Sequence, residues 1–242
     1  MPHHRSTPTI SEDVAGRVRR LIHSGELSAG DRLRAERDLA ADFGVARVSV
    51  REAIRLLAEG GYVTVRRGGQ GGTFVAGLED PYRQWLQQMR TRAGELDAIL
   101  DLRVAVEGHA AYLAAQRCGT DEVDGLRAAL ALMATATNRS SFRLADSHFH
   151  AGVGAAARSP RLKDLVEQAR GDYFVPADKL IYEEQIEASL DGHTRVVEAI
   201  QHADADAARA AMVDHIELTR THFHRLIRGE PLHQPASGSR RA

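Results

Sequence analysis

The chain has 242 residues, 43% of them hydrophobic, with 32 Lys and Arg against 33 Asp and Glu and a single cysteine, Cys118. That length fits one large or two ordinary domains, and the composition is that of a water-soluble globular protein without an intramolecular disulfide scaffold. No apolar run is long enough to span a bilayer, and the opening Met1-Pro-His-His-Arg5 lacks the apolar core of a secretory leader, so a cytoplasmic protein without a membrane partner is expected.

In chain order, Val14, Val18, Leu21 and Ile22 recur at helical spacing and predict a first helix over about residues 11–23. A turn at Gly25 and Ser28–Asp31 leads to a second short helix over about 36–43, ended by Gly44, a residue that takes positive φ at little cost. A third helix is predicted over about 48–59, stopped by Gly60-Gly61. Two β-rich runs follow, Tyr62–Val65 and Thr73–Val75, joined by Arg66-Arg67-Gly68-Gly69-Gln70-Gly71-Gly72, which predicts a hairpin with a glycine-rich tip. Three helices with a tight turn between the second and third, then a hairpin, describe a winged helix-turn-helix over residues 10–76. Its third helix carries Arg47 and Arg51 four apart near its N-terminus, the end of a recognition helix that enters the major groove. Arginine there can pair bidentately with guanine or grip phosphate. Arg34 and Arg37, at the start of the second helix, fall within reach of the same stretch of duplex.

Three stretches closely resemble the DNA-binding domain of GntR-family regulators. They are Gly30-Asp-Arg-Leu-Arg-Ala-Glu-Arg-Asp-Leu-Ala40, Phe43-Gly-Val-Ala-Arg-Val-Ser-Val-Arg-Glu-Ala-Ile-Arg-Leu-Leu57, and Gly60 to Val75. The resemblance implies DNA contacts from Arg37, Arg47, Arg51 and the wing glycines Gly68 and Gly69, with Ser49 on phosphate. The family often has Pro-Ser at Arg34-Ala35 and Thr-Pro at Val48-Ser49. These departures bear on base preference rather than on fold, and the contact from Arg34 rests on its position alone.

From about Leu78 onward strand signals vanish. The boundary is expected near Gly77–Pro81, with an all-helical antiparallel bundle over 80–228, so that the fold class is mostly α. Helices are expected over about 82–90, 95–117, 121–137, 141–156, 160–170, 175–188, 192–202 and 206–228, some able to merge, with Asp204 as N-cap of the last. Polar tails are expected over 1–9 and 229–242.

Among 12 histidines, His3, His4, His222, His224 and His233 lie near the termini and have bland readings as solvated residues. Asp146 and His150 are four apart, so on a helix they share a face, either as a hydrogen-bonded pair or as ligands of one ion; His148 points elsewhere. His193 and His215 stand beside apolar positions that should face the core, where an imidazole needs partners. Three inward histidines and a carboxylate satisfy one another best around a divalent cation.

Four further pieces resemble the FCD effector domain of the FadR-like branch of the same family: Asp101-Leu-Arg-Val-Ala-Val-Glu107, Asp146–His150, His193-Thr-Arg-Val-Val-Glu-Ala-Ile200 and Ala208-Arg-Ala-Ala-Met-Val-Asp-His215. The resemblance implies a divalent metal held by Asp146, His150, His193 and His215, with positions open to water or an effector. Zinc is the first choice, with nickel, iron or manganese as alternatives. It also implies that Arg103 helps bind a carboxylate effector, against the alternative of an internal salt bridge to Glu107 or Asp101. The acyl-CoA-binding member of the branch lacks the metal site, so the full ligand set here argues against an acyl-CoA effector. The function expected is that of a ligand-responsive transcription regulator, a repressor by preference, acting as a homodimer on a double-stranded operator with a small organic acid as effector. Two rivals remain at this point: a metal-dependent hydrolase fused to a DNA-binding module, for which no motif supplies a general base, and a constitutive architectural DNA binder.

Overall fold

The computed structural model describes residues 8–171 and 182–230, apart from the side chains of Arg139 and of residues 182–186. His3, His4, His233, most of both expected tails and the start of the helix expected over 175–188 lie outside the described residues. The described chain up to Gln84 forms one compact unit and the chain from Trp85 a second.

In the first unit, α1 spans Ile10–His23, α2 Glu36–Phe43 and α3 Arg47–Glu59. The start of α1 is fixed by a capping box: Thr9 Oγ1 accepts from the Glu12 amide, and the Glu12 carboxylate accepts from the Thr9 amide. Thr9 therefore belongs to the folded head rather than to the tail. Val14, Val18 and Ile22 of α1 pack against the α3 face formed by Val50, Ala53, Ile54 and Leu57, and all seven are buried. Gly44 caps α2 at φ +66°, so the chain can leave α2 and enter α3 three residues later.

Strands β1 (Val63–Arg66) and β2 (Gly72–Val75) pair antiparallel, Val63 opposite Val75 and Arg66 opposite Gly72. Each strand has one residue more at the loop end than the sequence pattern predicts, which shortens the wing loop to residues 67–71. The loop closes with the Gly71 amide donating to Gly68 O at 2.8 Å, and Gly68 takes φ +105°. The segment before α2 adds a short third edge: Arg32 bridges Phe74, and the Leu33 amide donates to Thr73 O at 2.8 Å. The hairpin is thereby tied to the turn that introduces α2.

The second unit contains α5 (Ala93–Arg117), α6 (Thr120–Ala134), α7 (Arg139–Ala156), α8 (Pro160–Gly171), α9 (Tyr182–Gln201) and α10 (Ala205–Arg228); α4 (Glu79–Thr91) leads into it across the junction. Helix α5 packs against α7, α8, α9 and α10, and α6 packs against α7 and α9. The expected helices 175–188 and 192–202 merge into α9, so His193 lies inside a helix rather than at its start. Asp204 caps α10, its side chain accepting from the Ala207 amide at 3.0 Å. Near its C-terminal end, His224 is only part-exposed and its Nε2 sits 2.8 Å from Asp97 Oδ1, so it is a paired residue rather than a solvated one. No described helix is long and apolar enough to cross a membrane.

The buried stripe of α5 is unusual. Leu96, Leu100, Val106, Ala110 and Ala114 lie on it, but so do Arg103 and Glu107. A charged pair on the inner face of a central helix is costly unless it is compensated locally, and this marks where the second unit's chemistry is concentrated.

A methyl group added at Gly44 would meet nothing within 4 Å, so Gly44→Ala tests backbone conformation alone. The left-handed conformation should cost it roughly 1–2 kcal/mol, read as an earlier urea transition of the N-terminal unit by circular dichroism.

Candidate DNA interface and metal centre

In the first unit the expected DNA residues cluster on α2, α3 and the wing. Arg47 is exposed at the first position of α3 and has no ion-pair partner among the described residues. Arg51 follows one turn later, 68% exposed, and donates from Nη2 to Glu36 Oε2 at 3.1 Å. Arg37 pairs with Asp38 at 3.2 Å, and Arg34 pairs with Asp42. These ion pairs are solvent-exposed and worth little, so the guanidinium groups are available to a stronger anion such as phosphate. Ser49 is half-buried behind Arg47, and Gly68 and Gly69 are exposed at the wing tip, where an added methyl group would meet nothing within 4 Å.

Two features escaped the sequence reading. Val48 is 70% exposed, an apolar side chain in the first turn of α3 beside Arg47. Arg32 braces the wing: its Nη2 donates to Gly71 O at 2.6 Å, and its guanidinium and that of Arg66 lie 6.0 and 4.6 Å from the Phe74 ring centroid.

In the second unit, five helices converge on one buried cluster. Helix α7 supplies Asp146 and His150, α9 His193, α10 His215, α5 Arg103 and Glu107, and α8 Arg170. One donor atom from each of Asp146, His150, His193 and His215 lies within 4.8 Å of the other three. His150 Nε2 is 3.0 Å from His193 Nε2, and Asp146 Oδ1 is 3.2 Å from His193 Nε2 and 3.7 Å from His150 Nε2. Ligands bonded to one metal at about 2.0–2.2 Å stand roughly 3–3.6 Å apart, so this triangle is close to the spacing such an ion requires.

The rest of the cluster fits the same reading. His215 Nδ1 is buried without a hydrogen-bond partner among the described residues. Gly192 leaves room for that ring, since a Cβ there would fall 2.9 Å from His215 Nδ1. A divalent ion held by these four residues would bring Lewis-acid character and coordination positions open to an oxygen ligand.

Burial and the surrounding charges hold three of the four donors, Asp146, His150 and His215, in the protonation states a metal needs. Burial pulls the Asp146 carboxyl upward, but Arg170, His193 and His150 outweigh it and hold it well below the usual carboxylate range. Arg170 Nη2 donates to Asp146 Oδ2 at 2.5 Å, leaving Oδ1 toward the histidines. Burial likewise opposes ionisation of Glu107, and Arg103, His150 and Arg170 overcome it. Burial, then the Arg170 charge, push His150 down to about 4 against the pull of Glu107 and Asp146. His215 is pushed well below its ordinary value by burial and by His193 and His150. His150 and His215 are therefore neutral imidazoles beside the ionised carboxylate of Asp146.

Arg103 is 2% exposed and donates from Nε to Glu107 Oε1 at 2.5 Å, the first of the two internal pairings considered for it; Asp101, the other, pairs with Arg220 at 2.7 Å. His148 is exposed, away from the cluster. Arg170 was missed by the sequence reading, although it lies four residues after buried Val166 on the inner face of α8.

Comparison with known proteins bears on both units. The family description for bacterial regulatory proteins of the gntR family matches residues 10–75, and that of the FCD domain matches residues 98–218. An Escherichia coli K12 protein assigned as regulator of the L-lactate dehydrogenase operon is 31% identical over 239 residues, covering 93% of this chain and 90% of that protein. The chain belongs to the GntR family. Its GntR head and FCD domain make it a DNA-binding transcription regulator, not an enzyme. The repressor NanR of Citrobacter rodentium is 26% identical over 230 residues, covering 90% of this chain and 86% of that protein. The solved structure of E. coli McbR/YncC shares the fold, with a TM-score of 0.57 at 18% identity, covering 91% of this chain and 99% of that one.

The lowered imidazoles give a signed expectation for the metal-free protein. A histidine whose folded pKa is depressed contributes stability that is present above its unfolded value and lost as pH falls. With His150 near 4 in the folded state, stability of the second unit should drop as pH falls from about 6.5 to about 4. Thermal melts in chelator across that range check this, and the slope should flatten in His150→Asn.

Proposed function

We propose that this GntR-family regulator is a repressor that holds a two-fold operator as a homodimer and responds to a small carboxylate bound with a divalent metal at Asp146, His150, His193 and His215. The observation that carries this reading is the buried meeting of three imidazoles and one carboxylate, with one donor atom from each within 4.8 Å of the others, in a chain of a DNA-binding family. Zinc is the first choice for the ion, since imidazole with carboxylate suits it; nickel, iron and manganese share that chemistry. The metal's open positions take the effector's carboxylate, and the positive charges of Arg103 and Arg170 beneath it favour an anion. The name of the E. coli relative, regulator of an L-lactate dehydrogenase operon, makes small hydroxy acids the first compounds to try.

On the DNA side, Arg47 and Arg51 enter the major groove from the start of α3, with Ser49, Arg37 and Arg34 on the backbone beside them. Gly68 and Gly69 let the wing lie close to the duplex. One winged head makes few contacts, and a two-fold protein matches a two-fold site. The domains of this reading are the head, residues 10–76, and the effector and dimerisation domain, residues 80–228.

Gel-shift titrations of the full chain on duplexes from the region upstream of its own gene test this, with and without zinc, chelator and a panel of small hydroxy acids. Tight binding that weakens when metal and one acid are both present is expected. No DNA binding by any form, or binding indifferent to every acid and to chelator, overturns the proposal.

Arg47→Ala and Arg51→Ala should each weaken operator binding by about 1–3 kcal/mol where the arginine reads a base. Where it grips phosphate, the salt dependence of log K should become shallower by about one unit instead. Salt-titrated binding separates the two roles.

A further inference from the structure

Glu107 is 1% exposed and stands outside the four proposed ligands; its Oε1 is hydrogen-bonded, whereas Oε2 meets a ring nitrogen at close range without a hydrogen bond of ordinary geometry. Oε1 accepts from Arg103 Nε at 2.5 Å, and Oε2 lies 2.5 Å from His150 Nδ1. Arg170 Nη1 adds its charge 3.9 Å from Oε2. Arg103 and Glu107 are one turn apart on α5, whereas His150 belongs to α7, so the contact crosses between helices.

We propose that Glu107, itself held by Arg103, is a positioning residue that fixes the His150 proton on Nδ1 and aims Nε2 at the proposed metal, a reading on which this inference rests. The network assigns the protons by elimination. An ionised carboxylate can only accept, and a bare nitrogen lone pair 2.5 Å from it would be repelled, so the contact favours the proton on His150 Nδ1 and leaves the lone pair on Nε2. His193 Nε2 lies 3.0 Å from His150 Nε2 and 3.2 Å from Asp146 Oδ1, both acceptors, so His193 carries its proton on Nε2. His193 Nδ1 is then an acceptor and meets the Ser189 hydroxyl at 3.4 Å. One tautomer for each ring is compatible with every contact from Glu107 to Ser189.

His150 thus already stands in the form a ligand must have. His193 does not: its proton has to move from Nε2 to Nδ1, where the Ser189 hydroxyl can turn and accept it. The two histidines on α7 and α9 are unequal, one preset by a buried carboxylate and one adjustable against a hydroxyl. A carboxylate behind a ligating imidazole also raises its basicity, and such partners typically contribute about 10–100-fold to metal affinity.

The test uses the full chain stripped of metal. Zinc and cobalt dissociation constants are measured by chelator competition, and nitrogen-15 imidazole spectra report which His150 nitrogen carries the proton. In the wild type, His150 should show the Nδ1–H form. Glu107→Gln should mix the two tautomers and weaken metal binding about 10–100-fold. Because that change leaves Arg103 without its ion partner in the core, the double variant Arg103→Met/Glu107→Gln, which removes both charges at similar volume, is measured beside it. It should show the same loss, with its fold checked by circular dichroism. A His150 proton on Nε2 in the wild type, or wild-type metal affinity in the folded double variant, overturns the positioning role. A wild-type chain without affinity for either ion removes the metal reading itself, and the tautomer spectrum then judges Glu107 alone.

Discussion

The second unit depends on one constraint: charges placed inside a helical core must neutralise one another there. Arg103 and Glu107 are 2% and 1% exposed, and His150 and His193 are equally hidden. An ionised group in such surroundings loses several kcal/mol of hydration, and only neighbours at hydrogen-bond distance return it. The neighbours come from different helices: Arg103 and Glu107 from α5, Asp146 and His150 from α7, Arg170 from α8, His193 from α9 and His215 from α10. Electrostatic compensation therefore fixes the relative placement of five helices more narrowly than apolar packing alone, which tolerates exchange of one aliphatic side chain for another of like volume.

The same compensation explains the protonation states. Two arginines and two carboxylates form a closed set in which each acid has a guanidinium within contact, Glu107 with Arg103 and Asp146 with Arg170. With the acids so held, no charge remains for the imidazoles to balance, and burial keeps His150 and His215 neutral. A divalent cation added to that set would leave it two charges positive, a state that favours an anionic ligand beside the ion. The preference proposed for a carboxylate effector thus follows from charge balance as well as from coordination chemistry.

Much of the first unit was legible because its boundaries are written in special residues. Gly44 and Gly60 end α2 and α3, and the expected spans fall within about one residue of those observed. Thr9 was misread because a capping threonine two residues beyond a polar segment looks like the tail it closes. In the second unit two of the expected helices merge into α9. Gly192 is interior to that helix, and a Cβ there would crowd His215. A glycine selected for close approach carries the same letter as one selected for a turn, and sequence alone cannot separate them. The four candidate ligands could be picked out because Asp146 and His150 stand one helical turn apart, His193 and His215 adjoin apolar positions, and the resemblance to the family joins the four. Arg170 could not, because a lone arginine in the last turn of a helix ordinarily complements the dipole, and only the fold shows that α8 turns it toward Asp146. For Arg103 the sequence offered two roles, and its ion pair with Glu107 is a matter of rotamer, beyond the reach of spacing.

Responsiveness asks more of this arrangement than binding does. An effector alters operator affinity only by the ratio of its own affinities for the DNA-competent and incompetent states, and the operator alters effector affinity by the same factor. A site made from one helix could bind a ligand tightly and report nothing. A site whose donors come from α7, α9 and α10, with its supporting charges on α5 and α8, is sensitive to any change in how those helices are spaced, because donor atoms about 3 Å apart tolerate little displacement before a ligand is lost. A small shift between helices would therefore carry a large free-energy difference at the polar cluster. That difference is what a regulator of this family needs in order to couple a small anion to DNA.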